Sequence, residues 1–165
     1  LLHEMRAALD AVHPSAHKEM SIAMGMSPHV SGVAPRASLA AVLDVIYLMT
    51  YNYNGAWLMQ TGHNAPLFED PAAQGLLPEN YYIDWGVSLW RSDVPASKLV
   101  LGHPASAEAA PARELDSWQK DPNALVDHYR NSPELLATAG VMAWSIGHDY
   151  GSGWKWVTAA KQIWQ

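Results

Sequence analysis

Short apolar runs alternate with amphipathic segments along the 165 residues of the chain. Four of these runs have the length of a buried strand, namely 19–25, 44–51, 98–104 and 139–145. Segments with the three- and four-residue apolar spacing of a helix precede or follow them, at 1–12, 34–43, 78–92, 121–139 and 153–164. Apolar strands alternating with helices are typical of a parallel sheet with right-handed crossovers. The pattern therefore predicts an α/β fold.

The second apolar run has an unusual set of side chains on one of its faces. Since successive side chains of a strand point to opposite faces, Tyr47, Met49 and Tyr51 share one face. Ile46 and Leu48 share the other face, together with Thr50. The first face thus ends in large side chains with polar tips, which a purely apolar core does not require.

Other large side chains follow the ends of the predicted strands. Trp144, which shares a face with Met142, ends the fourth strand, and Trp57 and Asp149 lie just past strand ends. Because parallel α/β sheets bind ligands at the carboxyl ends of their strands, we predict that Tyr51, Trp57, Trp144 and Asp149 form the rim of a pocket. The alternative is plain packing at the end of the sheet.

The composition fits one globular domain with an unusual choice of aromatic residues. Apolar residues make up 49% of the chain and charged residues 16%, which supports a sizeable core. There are eight Trp and seven Tyr but one Phe. Since Trp and Tyr combine a flat apolar face with a hydrogen-bonding edge, this mixture suits stacking on sugar rings. A tryptophan-rich core is the alternative.

Charge and residue types argue against several classes of function. The net charge of −6 and the pI of about 5.7 disfavour nucleic-acid binding, which depends on clustered Lys and Arg. The lack of cysteine excludes disulfides and thiolate metal sites. No apolar run reaches the about 18 residues of a membrane span, so we expect no membrane insertion.

Three histidines are candidates for the upper rim, namely His63, His103 and His148. No two of them have the H-x-H or H-x-x-x-H spacing of a metal site, so we expect neither a metal nor another cofactor. The chain also has no G-x-S-x-G motif, which leaves a serine nucleophile unsupported.

Four segments of the chain together carry a family resemblance. "MTYNYNGAW" at 49–57, "TGHNAPLF" at 61–68, "GVSLWRSDVPASKLVLGHP" at 86–104 and "GVMAWSIGHD" at 140–149 resemble, in this order, the second half of a glycoside hydrolase family 18 chitinase barrel. The resemblance implies a TIM (β/α)8-type barrel of which this chain supplies about strands five to eight. Residues 1–165 are then a single partial domain.

The resemblance also implies a role for each residue of the rim. Family members cleave β-1,4-linked N-acetylglucosamine polymers by a retaining, substrate-assisted route in which the acetamido oxygen of the sugar attacks the anomeric carbon. Tyr51 matches the tyrosine that holds the acetamido group, and Trp144 matches the tryptophan beneath the sugar ring. Met49 matches the methionine behind the acetamido pocket, and Trp57 lies where the next sugar often stacks.

The sequence departs from the family in three places. The D-x-x-D-x-D-x-E motif of strand four, which carries the general acid, does not occur in this chain. Asn52 replaces the aspartate of the M-x-Y-D motif and so lacks a charge that tunes a neighbouring carboxyl group. The segment after strand seven, "GHPASAEAAPARE" at 102–114, lacks the pattern of aromatic and arginine residues that is usual there. We therefore expect little hydrolysis by this chain alone.

These departures leave two main functions open. The chain is expected to be either the second half of an active chitinase or a catalytically inactive protein that still binds chitin or N-acetylglucosamine oligosaccharides. Endo-β-N-acetylglucosaminidase activity is a third, less favoured possibility. The expected partner is a missing first half barrel, from an upstream segment, a second chain or self-association. Because the sequence begins at Leu1 and not at an initiator Met, we expect that an upstream segment was removed. The resemblance implies secretion.

Overall fold

The computed structural model describes residues 1–55, 57, 62–69, 79–104, 122–144, 149–150 and 153–165. Within them, four parallel strands form one sheet in the order β1 (Ser21–Gly25), β2 (Val45–Met49), β3 (Leu99–Pro104) and β4 (Gly140–Trp144). Each strand lies within the apolar run that predicts it. The predicted parallel sheet is therefore confirmed, and its strands lie in the order in which they occur along the chain.

Helices precede the first strand, connect the strands and follow the last one. In chain order they are α1 (Leu2–Val12), α2 (Pro28–Ser31), α3 (Arg36–Val42), α4 (Ile83–Arg91), α5 (Pro122–Arg130), α6 (Pro133–Leu136) and α7 (Lys155–Ala160), with a 3₁₀ turn at Ala96–Lys98. Among the described residues, we find no helix with the length and hydrophobicity of a membrane span.

Two of the predicted helices differ from those observed, each for a local reason. The helix predicted over 78–92 begins only at Ile83, because the N–H groups of Ile83 and Asp84 donate to the carbonyls of Pro66 and Leu67. The helix predicted over 121–139 is divided into α5 and α6. Pro133, at the first position of α6, has no N–H to continue the hydrogen bonds of α5.

The two faces of the sheet have different surroundings. On one face, Ile46, Leu48, Leu99 and Leu101 have no exposed surface and pack in the core with helical residues such as Trp90. On the other face, called the open face below, Tyr47, Met49 and Met142 are half-buried. The alternation predicted from the sequence thus separates the two faces correctly. Apolar side chains that are half-buried remain available for contact with another group.

His103 lies on the core face and not at the rim. It alternates in step with Leu99 and Leu101, and it is fully buried. Its Nε2 is 2.9 Å from the hydroxyl of Tyr129 in α5, and the two rings pack edge to face. Burial, with a smaller effect of nearby His128, lowers the pKa of His103 from 6.5 to about 3. The expectation that His103 contributes to the rim is therefore wrong.

The buried His103 predicts a pH dependence of stability. In the unfolded chain the imidazole binds a proton near its ordinary pKa of 6.5, whereas in the folded chain it stays neutral down to about pH 3. The unfolded state thus binds more protons between these values, so stability falls as the pH is lowered through this window, by at most about 1.4 kcal/mol per pH unit. Urea unfolding at pH 7.5 and 4.5 measures the loss.

The contribution of His103 is isolated by substitution. His103→Gln should reduce the pH-dependent loss of stability, whereas the same change at exposed His13 should leave it as in the wild type. An equal pH dependence in the wild type and in His103→Gln would contradict this account.

Candidate functional site

The end of β2 and the middle of β3 lie unusually close together on the open face. Gly102 pairs with Met142 in the β3–β4 register. A Cβ atom at Gly102 would lie 2.6 Å from Cε of Met142, 2.8 Å from the Leu48 carbonyl oxygen and 3.0 Å from Cε1 of Tyr51. Since real Cβ atoms do not approach other atoms so closely, only glycine fits here. The Tyr51 ring, the Gly102 backbone and Met142 therefore form one contact.

Thr50 fixes the direction in which the chain leaves β2. Its N–H donates to the Leu48 carbonyl oxygen at 2.9 Å, and its buried hydroxyl donates to the Gly102 carbonyl oxygen. These bonds replace the ladder that would continue β2 to residue 51, which is why the strand ends at Met49. The turn places the Tyr51 ring over Gly102.

The phenol of Tyr51 is suited to donate a hydrogen bond to a ligand. The side chain is half-buried, and burial raises its pKa above the ordinary value of 10.0. The hydroxyl is thus protonated at neutral pH. Among the described residues the hydroxyl has no hydrogen-bond partner, so a ligand at the carboxyl edge of the sheet can accept a hydrogen bond from it.

Asn52 and Asn64 hold the loop that follows Tyr51. Asn52 has a left-handed backbone with φ of 61°, which asparagine tolerates better than most residues. Nδ2 of Asn64 donates to Oδ1 of Asn52 at 3.0 Å, and the N–H of Tyr53 donates to the Asn64 carbonyl at 2.8 Å. The side chain of Asn54 donates to the carbonyl of His63 at 2.8 Å. Segments 52–54 and 63–64 are thereby joined.

Two tryptophans of the predicted rim are largely exposed. Trp144, the last residue of β4, is 62% exposed and pairs in register with Pro104. By alternation it lies on the open face with Met142. Trp57 is 65% exposed, and its ring lies 2.3 Å from where a Cβ at Gly55 would be. Large exposed aromatic faces of this kind can stack on a ligand.

The structure gives Asp149 a different position from the one that the sequence analysis predicts. Its side chain has no exposed surface. Its carboxylate accepts the N–H groups of Trp156 and Val157 at 2.8 and 3.0 Å. These N–H groups belong to the first turn of α7, where a carboxylate satisfies otherwise unbonded donors. Asp149 thus stabilises the start of α7, and a fully buried carboxylate does not contact a sugar.

The predicted site residues therefore divide into two groups. The first group lies at the open face or near its carboxyl edge. It consists of Met49, Tyr51 and Trp144, together with Asn52 and Trp57 in the loop after β2. The second group is Asp149 alone, which is buried. Asn64 and Gly102 were not predicted. The interruption of the apolar run at Gly102 is a sequence signal of close backbone approach, but the Asn64 contacts depend on the folded loop.

Within the described part of the chain, no three His, Asp or Glu side chains lie close enough together to hold a metal ion. His63 lies in the loop that contacts Asn54, His103 is in the core, and His148 lies outside the described residues.

The close contact at Gly102 predicts that a larger residue at this position destabilises the protein. Gly102→Ala should lower the free energy of unfolding by about 1–3 kcal/mol, because the Leu48 carbonyl cannot move away without disturbing β2. Gly25→Ala is the matched control on the same sheet, since its Cβ would meet only Val30, at 3.8 Å. Denaturant unfolding of both variants checks this. Equal stability of the two variants would show that the contact at Gly102 imposes no constraint.

Comparisons with known proteins identify the family. The model of glycosyl hydrolases family 18 matches residues 1–161. Chitinase A1 of Niallia circulans is 40% identical over 110 residues, which cover 63% of this chain and 16% of that protein. The chain thus spans only a small part of the length of this relative.

Solved structures agree over nearly the whole chain. The class V chitinase of Nicotiana tobaccum in complex with NAG4 matches with a TM-score of 0.73 at 23% identity. The matched region covers 99% of this chain and 62% of the chitinase chain. The chitinase-like agglutinin of Robinia pseudoacacia matches with a TM-score of 0.73 at 22% identity, over 99% of this chain and 61% of the agglutinin chain. These likenesses identify the fold as that of the family's TIM barrel. With the family model matching almost every residue, the chain belongs to glycosyl hydrolases family 18.

Proposed function

We propose that this chain is the carboxyl-terminal half of a chitinase barrel, strands five to eight, and that its open face binds β-1,4-linked N-acetylglucosamine polymers for hydrolysis. The observation that carries the proposal is the half-buried Tyr51 phenol, held over Gly102 at the carboxyl edge, with no hydrogen-bond partner for its hydroxyl among the described residues. In TIM barrels this edge carries the active site.

The half-barrel part of the proposal is supported by the open face. Tyr47, Met49 and Met142 project from a face that the core cluster does not cover. In a closed barrel such side chains meet those of the remaining strands and fill the interior. An upstream segment, a second chain or a second copy of this chain supplies the first half.

Tyr51 acts on the acetamido group of the sugar at the cleavage site. Its hydroxyl donates to that group and holds it near the anomeric carbon. The acetamido oxygen attacks this carbon as the glycosidic C–O bond breaks, and a general acid protonates the departing oxygen. We place this acid on the first half of the barrel, because none of the predicted site residues of this chain is an exposed carboxylate.

The remaining predicted site residues shape the binding surface. Trp144 provides an aromatic floor for the ring at the cleavage site, Trp57 stacks on a neighbouring sugar, and Met49 packs behind the acetamido group. Asn52 contributes hydrogen bonding without charge. Asp149 keeps its role at the start of α7.

A binding experiment tests this surface. Trp144→Ala should weaken binding of an N-acetylglucosamine tetramer about tenfold or more, because it removes a stacking face together with buried area. Tyr51→Phe should weaken it less, since it deletes one hydrogen bond worth about 0.5–1.5 kcal/mol. The control is Trp164→Ala, which makes the same change at a tryptophan that packs on Tyr129 of α5, away from the proposed binding surface. Calorimetric titration measures all three variants, and unchanged affinity of a folded Trp144→Ala protein would refute the proposed floor.

The second candidate is a protein that binds chitin without cleaving it. Asn52, in place of the family's aspartate, favours this reading, and a chitinase-like agglutinin is among the similar structures. Turnover by an assembly that also contains the first half of the barrel decides between the two, because only a chitinase would then release reducing ends from the tetramer. This chain alone should release reducing ends from the tetramer at no more than a trace rate. Turnover of about 1 per second, ordinary for an enzyme, would show that the general acid lies within this chain.

A further inference from the structure

Asn64 is a buried amide whose orientation is set by backbone groups. Its side chain is part of a residue only 5% exposed. Its Oδ1 faces the N–H of Asn52 at 3.4 Å, and its Nδ2 faces the carbonyl oxygen of Asn54 at 3.5 Å. A backbone N–H can only donate and a backbone carbonyl can only accept. The reversed amide would place nitrogen against N–H and oxygen against oxygen, so only one orientation is compatible.

The orientation of Asn64 sets that of Asn52 in turn. With Nδ2 of Asn64 as the donor at 3.0 Å, the Asn52 carboxamide must present its oxygen to Asn64. Nδ2 of Asn52 then points away from Asn64, and it has no partner among the described residues. Because Asn52 is exposed, this N–H group is accessible at the carboxyl edge, next to Tyr51.

We propose that Asn64 is a positioning residue that fixes Asn52 as a hydrogen-bond donor to an acceptor oxygen of the bound sugar. The inference rests on the proposed function, since it concerns the same site. It deepens that function because a carboxylate at position 52 would offer only acceptor atoms, whereas the held carboxamide presents its N–H donor away from Asn64. The sugar atom that faces Nδ2 of Asn52 must therefore be an oxygen that can accept a hydrogen bond.

The amide orientation is tested first, without any sugar, by hydrogen exchange of side-chain amides in ¹⁵N NMR spectra of the full-length protein. In the wild type, the Nδ2 protons of Asn64 should exchange more slowly than those of Asn52. In Asn64→Asp, whose carboxylate only accepts, the carboxamide of Asn52 must turn and donate, so its Nδ2 protons should exchange more slowly than they do in the wild type. Slow exchange at Asn52 in the wild type, or no slowing in the variant, would overturn the proposal.

The sugar contact is tested by a double-mutant cycle with an N-acetylglucosamine tetramer and calorimetry. Asn64→Asp should weaken binding about threefold to tenfold, the effect of one hydrogen bond. In the Asn52→Gly background it should change the affinity less than about twofold, because Asn64 acts through Asn52. Glycine suits the left-handed backbone at position 52, so this background avoids strain.

Control variants keep the outcomes distinct. Asn131→Asp makes the same chemical change at an exposed residue that bonds the Asp127 carbonyl, and it should leave binding unchanged. If Asn64→Asp does not fold, Asn64→Ala replaces it, with the same expected dependence on Asn52. Equal weakening in both backgrounds would show a purely structural role and overturn the proposal. Failure of the wild type to bind the tetramer would instead refute the proposed function, while the exchange result would still decide the amide orientation.

Discussion

The close approach of β2 and β3 at Gly102 is the constraint on which the site depends. Without a side chain at this position, the Leu48 carbonyl and the Tyr51 ring both come within contact of the β3 backbone. The Thr50 hydroxyl then bonds the Gly102 carbonyl and ends β2. The chain turns, and the phenol that follows lies over the sheet and not along it. A larger residue at Gly102 would displace the group that we propose to hold the substrate.

The loop beyond Tyr51 is fixed by amides and not by apolar packing. Asn52, Asn54 and Asn64 exchange hydrogen bonds with each other and with nearby backbone groups. Such a network satisfies the polar backbone of a loop that leaves the sheet at its functional edge. It gives the edge a defined shape, and neither the Tyr51 hydroxyl nor Nδ2 of Asn52 is bonded within the part of the chain that the structure describes. Rigid placement of a few polar groups is what a sugar site requires.

Much of the fold could be predicted because residues that are buried on one face of a strand recur at every second position in the sequence. Ile46 and Leu48 alternate with Tyr47 and Met49, and the structure separates these pairs onto the two faces. The same alternation places His103 with Leu101 in the core, a signal that outweighs its position near a strand end. The division of the helix predicted over 121–139 was missed, although a proline at position 133 is a sequence signal for it.

The site could be predicted only in part, because its geometry depends on contacts between distant segments. Tyr51 and Trp144 were predicted from their positions at strand ends, and the structure places both at the open face or its carboxyl edge. Asp149 occupies a similar position in the sequence, yet it bonds the first turn of α7, and only the folded chain distinguishes the two roles. Asn64 gives no signal by itself, since its partners at 52 and 54 are brought together by the turn after β2.

The most direct test of the account is a crystal structure of the full-length protein with an N-acetylglucosamine tetramer. The account predicts that the Tyr51 hydroxyl lies about 2.5–3.0 Å from an atom of the acetamido group, with a sugar ring stacked on Trp144. A tetramer bound away from the open face, or bound there with the Tyr51 hydroxyl still without a partner, would contradict it.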